Sequence, residues 1–461
     1  MTIWIPDLSL HTGPRYQAIA AAIADAVDQG ALTPGDKLPP QRDLAYRLGV
    51  TVGTVSRGYM LAEQRGLVGG EVGRGTFVRA PAQDAKAPIL QPAANGVLDL
   101  GINMATWRVH GDALAATLGE ISQAPGLENL MRYVPAAGHA DHRAAGASFM
   151  ARVGLTVDPD RVLLTHGAQQ ALAAAFEALC RPGDTVLAER FTYSGVVENA
   201  GRTGIRLEGV ALDAEGMIPE ALDEAAARTG ARVVIVVPTI QNPTAALMGA
   251  ERRAAIAKVA AARDLVIVED DVYGYLLPER APPIATLAPE RTVYVTSASK
   301  CLAPGLRVGW MAVPERLFEP FVDVIYAQTV AQPGLNHEII RRWLADGTAD
   351  RLTEALRREV AARQVLAGEI FEGLETRGHP ASFHLMLDLP ATWRRDDFVA
   401  KALAHGIRIV SIASFAVDWA SAPEAVRISL AAAPDRETLK DALTTLRDLA
   451  LEGPRASRAV V

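Results

Sequence analysis

Residues 265–300 read LVIVEDDVYGYLLPERAPPIATLAPERTVYVTSASK. Two short apolar runs, Leu265–Val268 and Thr292–Thr296, open and nearly close this stretch. Both are rich in β-branched residues and bounded by turn formers, which is the pattern of buried strands. Reactive side chains follow each run at once: Glu269, Asp270, Asp271 and Tyr273 after the first, Ser297, Ser299 and Lys300 after the second. Ligands of open parallel sheets collect beyond the carboxyl ends of the strands. The stretch therefore predicts an α/β sheet with a chemically equipped crevice at its strand ends.

Outward from it the same alternation continues. Val162–Thr165, Thr185–Ala188 and Val233–Val237 read as strands, and Gln169–Cys180 and Arg252–Arg263 as helices. Strands alternating with helices predict a mostly parallel sheet. From about Asn336 to Leu374 the pattern is helical. Shorter strands follow at Ser382–Leu387, Ile407–Ile412 and Val426–Leu430, then a terminal helix at Arg436–Leu451. That end of the chain predicts a second, smaller α+β lobe.

Toward the N-terminus the composition changes near residue 80. Residues 80–94, APAQDAKAPILQPAA, hold three prolines and no apolar period, and read as an extended linker. Before them Ile19, Ile23 and Val27 recur at helical spacing, with Gly30 as a stop. Gln41–Leu48 makes a short helix closed by Gly49. Thr51 caps a third helix from Val52 to about Arg65. Two short extended segments, Leu67–Val68 and Thr76–Val78, are joined through glycines. Helix, helix, turn, helix and a glycine-rich hairpin make a winged helix-turn-helix.

Charge supports the partition. The 461 residues carry 46 basic and 53 acidic side chains, net −7, which speaks against a polyanion field over the whole protein. Residues 41–80 alone hold six arginines against three acidic residues, net +3, while 81–461 sum to −8. A local nucleic-acid contact fits that asymmetry. Two cysteines, Cys180 and Cys301, make no disulfide framework. Neither a leader pattern nor a membrane span is legible, so the expected compartment is the cytoplasm.

The strand ends offer one crevice an amine, a carboxylate, an anion site and hydroxyl or amide donors. Pyridoxal phosphate needs that set. A lysine must hold its aldehyde, and a carboxylate must keep the pyridine nitrogen protonated so that the ring acts as an electron sink. Its phosphate wants helix N-terminal amides, a hydroxyl and an arginine. The assignment is Lys300 for the aldehyde and Asp270 for the ring nitrogen. The amides of Ala168 and Gln169, with Ser297 and Arg307, take the phosphate. Asn242 and Tyr273 go to the ring oxygen, and Tyr193 stacks on the ring. Singly these residues are ordinary; their joint order at strand ends is not. His139 and His142 lack a third ligand motif, and His337-Glu338 fails the zincin pattern, so no metal is expected. Cys301, beside Lys300, reads as a buried small residue.

These motifs carry a family resemblance. Leu32-Thr-Pro-Gly-Asp-Lys-Leu-Pro-Pro-Gln-Arg-Asp-Leu-Ala45, Leu48-Gly-Val-Thr51, Thr54-Val55 and Gly73-Arg-Gly-Thr-Phe-Val78 resemble GntR-type winged-helix regulators. Tyr133-Val-Pro-Ala-Ala-Gly138, Thr165-His-Gly-Ala-Gln169, Asn242-Pro-Thr244, Glu269-Asp-Asp-Val-Tyr273, Ser297-Ala-Ser-Lys300 and Leu306-Arg-Val-Gly-Trp310 resemble fold-type I aminotransferases. The fusion in this order resembles the MocR subgroup of GntR regulators.

The resemblance implies a DNA-binding domain at 1–80, a linker at 81–97 and a pyridoxal-phosphate-binding domain at 98–461. Within the last it implies a large lobe at about 135–335 and a small lobe from about 98–130 plus 336–453. It implies that Tyr133 reaches the phosphate of a neighbouring subunit in a head-to-tail homodimer. Arg427 would clamp an α-carboxylate. Arg42, Thr51, Thr54, Ser56, Arg57 and Arg74 would contact a double-stranded DNA operator. Lys300, Asp270 and Tyr273 would be the catalytic set. The implied function is a transcription regulator that senses an amine or amino acid, or pyridoxal phosphate itself, through aldimine chemistry at Lys300. The alternative is an active aminotransferase with an accessory DNA-binding domain. Three stretches depart from the family pattern. The third helix begins Thr51-Val-Gly-Thr54, Phe191-Thr-Tyr193 replaces Pro-Thr-Tyr, and Ile102 to His110 matches no motif.

Overall fold

The computed structural model describes residues 4–8, 14–28, 31–33, 36–64, 67–71, 75–78, 96–105 and 111–453. Two compact units divide the chain, Met1–Ile89 and Leu90–Val461. The expected linker at 81–97 lies outside the described residues apart from its last two.

The first unit has helices α1 (Arg15–Asp28), α2 (Gln41–Leu48) and α3 (Val52–Gln64), then the antiparallel hairpin β1 (Val68–Glu71) and β2 (Gly75–Val78). Gly49 ends α2 in the left-handed conformation, φ 63°. Thr51 caps α3, its Oγ1 accepting from the Thr54 amide at 3.2 Å. Lys37 makes an isolated bridge to Phe77, and Leu38 donates to the Thr76 carbonyl at 2.8 Å, so the segment before α2 docks along β2. Ile19, Ile23, Leu44, Val55, Tyr59 and Val78 fill the core between helices and wing.

The second unit opens with β3 (Leu98–Asp99), α4 (Gly111–Gln123) and α5 (Ala140–Ala151). Alternation follows: β4 (Val162–Thr165), α6 (Ala168–Leu179), β5 (Thr185–Glu189), α7 (Ser194–Thr203) and β6 (Arg206–Val210). A small hairpin, β7 (Leu212–Asp213) and β8 (Gly216–Met217), leads to α8 (Pro219–Thr229), β9 (Val233–Val236), α9 (Ala250–Ala262) and β10 (Val266–Asp270). Then come α10 (Ile284–Leu287), β11 (Thr292–Ser297), β12 (Gly309–Ala312), α11 (Glu315–Thr329), α12 (Gly334–Ala345) and α13 (Thr348–Ile370). The chain ends with β13 (Thr376–Arg377), β14 (His384–Asp388), α14 (Arg395–Ala404), β15 (Ile407–Arg408), β16 (Val410–Ser411), β17 (Ala425–Ser429) and α15 (Arg436–Glu452).

Seven strands form the main sheet in the order β4-β12-β11-β10-β9-β5-β6. All run parallel except β12, which is antiparallel to both its neighbours. Strand β9 is buried along its whole length. Val233 and Ile235 pack toward α6 and α11, Val234 and Val236 toward α8 and α9, so helices cover both faces. Each such side chain contributes about 1.5–3 kcal/mol by leaving water. The smaller sheet, β13-β14-β17-β16, packs on α13, α14 and α15. The helical stretch expected from Asn336 to Leu374 is two helices, separated at Asp346 and Gly347, the latter at φ 77°. Strand β12 was not foreseen.

The topology fixes the site. Strands β4, β5, β9, β10 and β11 end at one edge of the sheet. Strand β12 begins there because it runs the other way, which brings Arg307 to the same edge.

Candidate active site

Strand β10 and the residue after it deliver three consecutive carboxylates, and their hydrogen-bond partners separate them. Glu269 accepts from the amides of Ile284 and Ala285, both at 2.9 Å, and faces buried Arg253 at 3.5 Å. Asp271 accepts from Arg280 Nη1 at 3.0 Å and the Tyr294 hydroxyl at 2.6 Å, which hold its carboxyl below the usual range against a desolvation cost. Asp270 is equally buried, yet its Oδ1 has no partner. Burial, then the charge of Asp271, pushes its carboxyl up to about 7.

Lys300 follows β11. The residue is only partly buried, but its amine lies at depth, 2.6 Å from the Asn103 carbonyl and 6.0 Å from the centroid of the Tyr273 ring. Burial, then Arg427, lowers the amine to about 8, against the attraction of Asp270. Tyr273 is buried, and burial raises its phenol well above the ordinary value. Arg427, on β17, donates from Nη1 to Asn242 Oδ1 at 2.9 Å and from Nη2 to the Gly101 carbonyl. Its guanidinium sits 4.6 Å from the Phe415 ring centroid, and its Nε is buried without a partner. Burial lowers it to about 10.

Beside this lies a small anion cradle. Gly167, at φ 82° and ψ 172°, opens α6, so the amides of Ala168 and Gln169 are the unpaired donors of its first turn. A Cβ on Gly167 would stand 2.7 Å from Arg307 Nη2. Arg307 donates to the His166 carbonyl at 3.0 Å and lies 3.4 Å from Ser299 Oγ. Ser297 Oγ, at the end of β11, accepts from the Ser299 amide at 3.3 Å. Tyr193 precedes α7 and interacts electrostatically with Asp270, Arg307 and Arg427. A cavity of about 240 Å³ adjoins Lys300 and Ser299, with Leu114, Leu302, Leu306 and Trp343 in its wall.

The structure thus brings Ala168, Gln169, Tyr193, Asn242, Asp270, Tyr273, Ser297, Lys300, Arg307 and Arg427 to one crevice. Tyr133 stands apart from that set at 88% exposure. Two buried residues escaped the sequence reading. Glu189, closing β5, accepts from the Val237 amide at 3.0 Å and Gln241 Nε2 at 3.2 Å, and burial pushes it up to about 8. Asn103 donates to the Tyr273 hydroxyl at 2.6 Å and lies 3.0 Å from His384 Nδ1. Cys301 is buried. Among the described residues no group of three metal-binding side chains comes together, and no helix is long and apolar enough to cross a membrane.

In the first unit Arg42, Thr51 and Arg57 are exposed, and Thr54 and Ser56 half-buried. Arg57 lays its guanidinium over the Tyr16 ring, 4.9 Å from the centroid, so α1 already engages its flat face. Arg74 lies outside the described residues.

A doubly covered sheet with this strand order, a lysine after β11 and an unpartnered carboxylate ending β10 define an aminotransferase-like fold of type I, which follows a winged helix in the chain. The chain belongs to the aminotransferase class I and II family, which it matches over residues 96–446, and its residues 15–78 match the bacterial regulatory proteins of the gntR family. That fusion is the MocR arrangement. Among its relatives, the Bacillus subtilis protein named uncharacterized HTH-type transcriptional regulator YdeF is 28% identical over 97% of this chain and 96% of its own. The HTH-type transcriptional regulator TauR of Rhodobacter capsulatus is 28% identical over 86% of this chain and 88% of its own. LysN, the α-aminoadipate aminotransferase of Thermus thermophilus solved with N-(5'-phosphopyridoxyl)-L-leucine, superposes with a TM-score of 0.70 at 26% identity, over 78% of this chain and 92% of that one. The family generally uses pyridoxal phosphate.

Proposed function

We propose that the protein is a DNA-binding regulator that holds pyridoxal phosphate in the strand-end crevice and reads an amine or amino acid there. The carrying observation is Asp270, a buried carboxylate with an unpartnered oxygen between two neighbours that each have hydrogen-bond donors and a facing arginine. A protonated ring nitrogen would supply its missing partner and keep it ionised. The other donors fit the same group. Lys300 would carry the cofactor through its amine, and Asn242 and Tyr273 would donate to its ring oxygen. Tyr193 would stack on the ring. The Ala168 and Gln169 amides, Ser297 and Arg307 would take the phosphate, which needs the bare backbone of Gly167. When bound, the cofactor supplies an aldehyde for amines and an electron sink for chemistry at the adjoining carbon.

The chain's own side chains prepare the rest. With its pKa near 8, the Lys300 amine is partly neutral, hence nucleophilic, at physiological pH. The two oxygens to which Arg427 donates are uncharged, so an incoming α-carboxylate would give it a charged hydrogen-bond partner. Exposed Tyr133 would be covered by a second copy of the chain in a head-to-tail dimer and complete that copy's phosphate site. The winged helix within 1–80 would bind operator DNA through Arg42, Thr51, Thr54, Ser56, Arg57 and Arg74, joined by a linker at 81–97 to the cofactor-binding part at 98–461. The regulator names of YdeF and TauR, and the phosphopyridoxyl amino acid held by LysN, support this reading.

The test is an absorbance scan of the purified protein with pyridoxal phosphate while amines and amino acids are added in turn. A visible–ultraviolet band present in the wild type and lost in Lys300→Ala is expected, with a spectral shift for one class of compound and an accompanying change in DNA affinity. No band, or an affinity for DNA indifferent to cofactor and amine, overturns the proposal. Sustained keto-acid production without DNA binding would select the aminotransferase reading instead.

A further inference from the structure

We propose that Asn103 is a positioning residue that aims the hydroxyl of Tyr273 into the crevice. The proposal rests on the pyridoxal phosphate reading above, but the hydrogen bonds that carry it lie within the chain. Asn103 is buried in the segment that follows β3. Its Nδ2 donates to the Tyr273 hydroxyl at 2.6 Å and lies 3.0 Å from His384 Nδ1. Its Oδ1 accepts from the Ser429 hydroxyl at 3.3 Å. The partners come from β14, β17 and the turn after β10.

The direction of each bond follows from its neighbours. Burial, then Arg427, pushes His384 down to about 3, so the ring is neutral. Its Nε2 lies 3.3 Å from the Gln241 carbonyl, which can only accept. The ring proton therefore sits on Nε2, and Nδ1 is an acceptor. Asn103 must present its amide nitrogen to Nδ1, and both amide protons are then committed, one to His384 and one to Tyr273. The Tyr273 hydroxyl accepts one of them and keeps a single proton, which points away from Asn103. Besides His384, the ionisable groups in electrostatic reach of that phenol among the described residues include Lys300, Asp270, Tyr193 and Arg427. A ring oxygen held near Lys300 would receive the proton. Without the amide, His384 Nδ1 becomes an unmatched acceptor on the wrong side, and the phenol turns toward it.

The test reads the pH midpoint of the visible band formed with added pyridoxal phosphate. A donor to the ring oxygen stabilises its charged form and lowers the midpoint, so losing the donor raises it. Asn103→Leu is expected to raise the midpoint by about one pH unit, a tenfold change in proton affinity of the kind one hydrogen bond supplies. In a Tyr273→Phe background the same substitution is expected to add nothing, because it acts through the hydroxyl. An unchanged midpoint with the band intact, or an equal shift in the Tyr273→Phe background, overturns the proposal. Should Asn103→Leu fail to fold, Asn103→Ala leaves room for water and carries the same comparison. A wild type that forms no band, or a band that survives Lys300→Ala, sinks the cofactor reading itself and this inference with it.

Discussion

Asp270 shows how one residue can be poorly suited to the fold and well suited to a ligand. Its carboxyl sits at about 7 in the folded chain, against an ordinary 3.8. The folded state thus binds the proton more tightly than the unfolded one. Stability of the cofactor-free protein is greatest below pH 4 as far as this group is concerned, and falls as the pH rises from about 4 to 7. Asp270→Asn removes that loss. Thermal melts of the cofactor-free protein at pH 8 are expected to show the variant about a few degrees above the wild type, with the gap closing at pH 4. The same variant is expected to bind pyridoxal phosphate at least about tenfold more weakly, since it forfeits a charge-assisted hydrogen bond. Lys300 gives the complementary prediction. Its amine is lowered to about 8, so cofactor capture followed by rapid-mixing absorbance should speed up tenfold per pH unit below 8 and level off above it. A rate still climbing at pH 10 would mean that the amine is not so perturbed. Lys300 and Asp270 could be singled out in the sequence because Asp270 closes one β-branched run and Lys300 comes shortly after another. Asn103 could not: its partners Tyr273 and His384 stand 170 and 281 residues away, and no local spacing encodes such a contact.

At the scale of elements, the strands that escaped are those without β-branched runs. Strand β12, Gly309-Trp-Met-Ala312, opens on a glycine that the packing demands, since a Cβ there would stand 2.7 Å from Gly167 Cα and from Thr165 Oγ1. The requirement comes from the neighbouring strand β4, so the sequence of β12 alone reads as a loop. Strands β9 and β11 were legible because their valines and threonines lie buried on both faces. The first unit holds a parallel case on helix α3. Gly53 costs roughly 1 kcal/mol of helix propensity relative to alanine, and a Cβ there would meet only Thr51 Oγ1, at 3.8 Å. Gly53→Ala should therefore stabilise the winged helix by up to that amount. Gly58 looks the same in sequence and is the opposite in structure. A Cβ there would lie 2.8 Å from Ile19 Cγ2 and 3.1 Å from the Tyr16 carbonyl, so α1 and α3 touch through it. Gly58→Ala should cost about 1–3 kcal/mol by overpacking. Denaturant melts followed by DNA binding are expected to order the three proteins Gly53→Ala, wild type, Gly58→Ala. A Gly58→Ala protein as stable as the wild type would mean that α1 and α3 do not approach as closely as described.

At the scale of the whole molecule, charge and valence decide how the regulator would read DNA. Residues 41–80 carry +3 and residues 81–461 carry −8, so few cations are available for phosphates and the larger part of the chain repels them. One winged helix alone would then be a weak, salt-sensitive binder. Arg42→Ala should lower affinity for every DNA sequence alike and flatten the slope of log affinity against log salt by about one. Useful affinity has to come from two winged helices tied together by a dimer, as the proposed role of exposed Tyr133 implies. With a DNA fragment that the protein itself selects from random sequence, removing one half-site is expected to weaken binding by about 10²–10⁴. We propose that an amine taken at Lys300 acts on the pair of winged helices as presented together rather than on either one alone. An amine that shifts the visible band should therefore change affinity for the complete site and leave affinity for the isolated half-site unchanged. Fluorescence anisotropy with both fragments, with and without the amine, measures the difference. An equal change on the half-site would show that the effector alters each winged helix by itself, and a complete site no stronger than its half would remove the dimer from the mechanism.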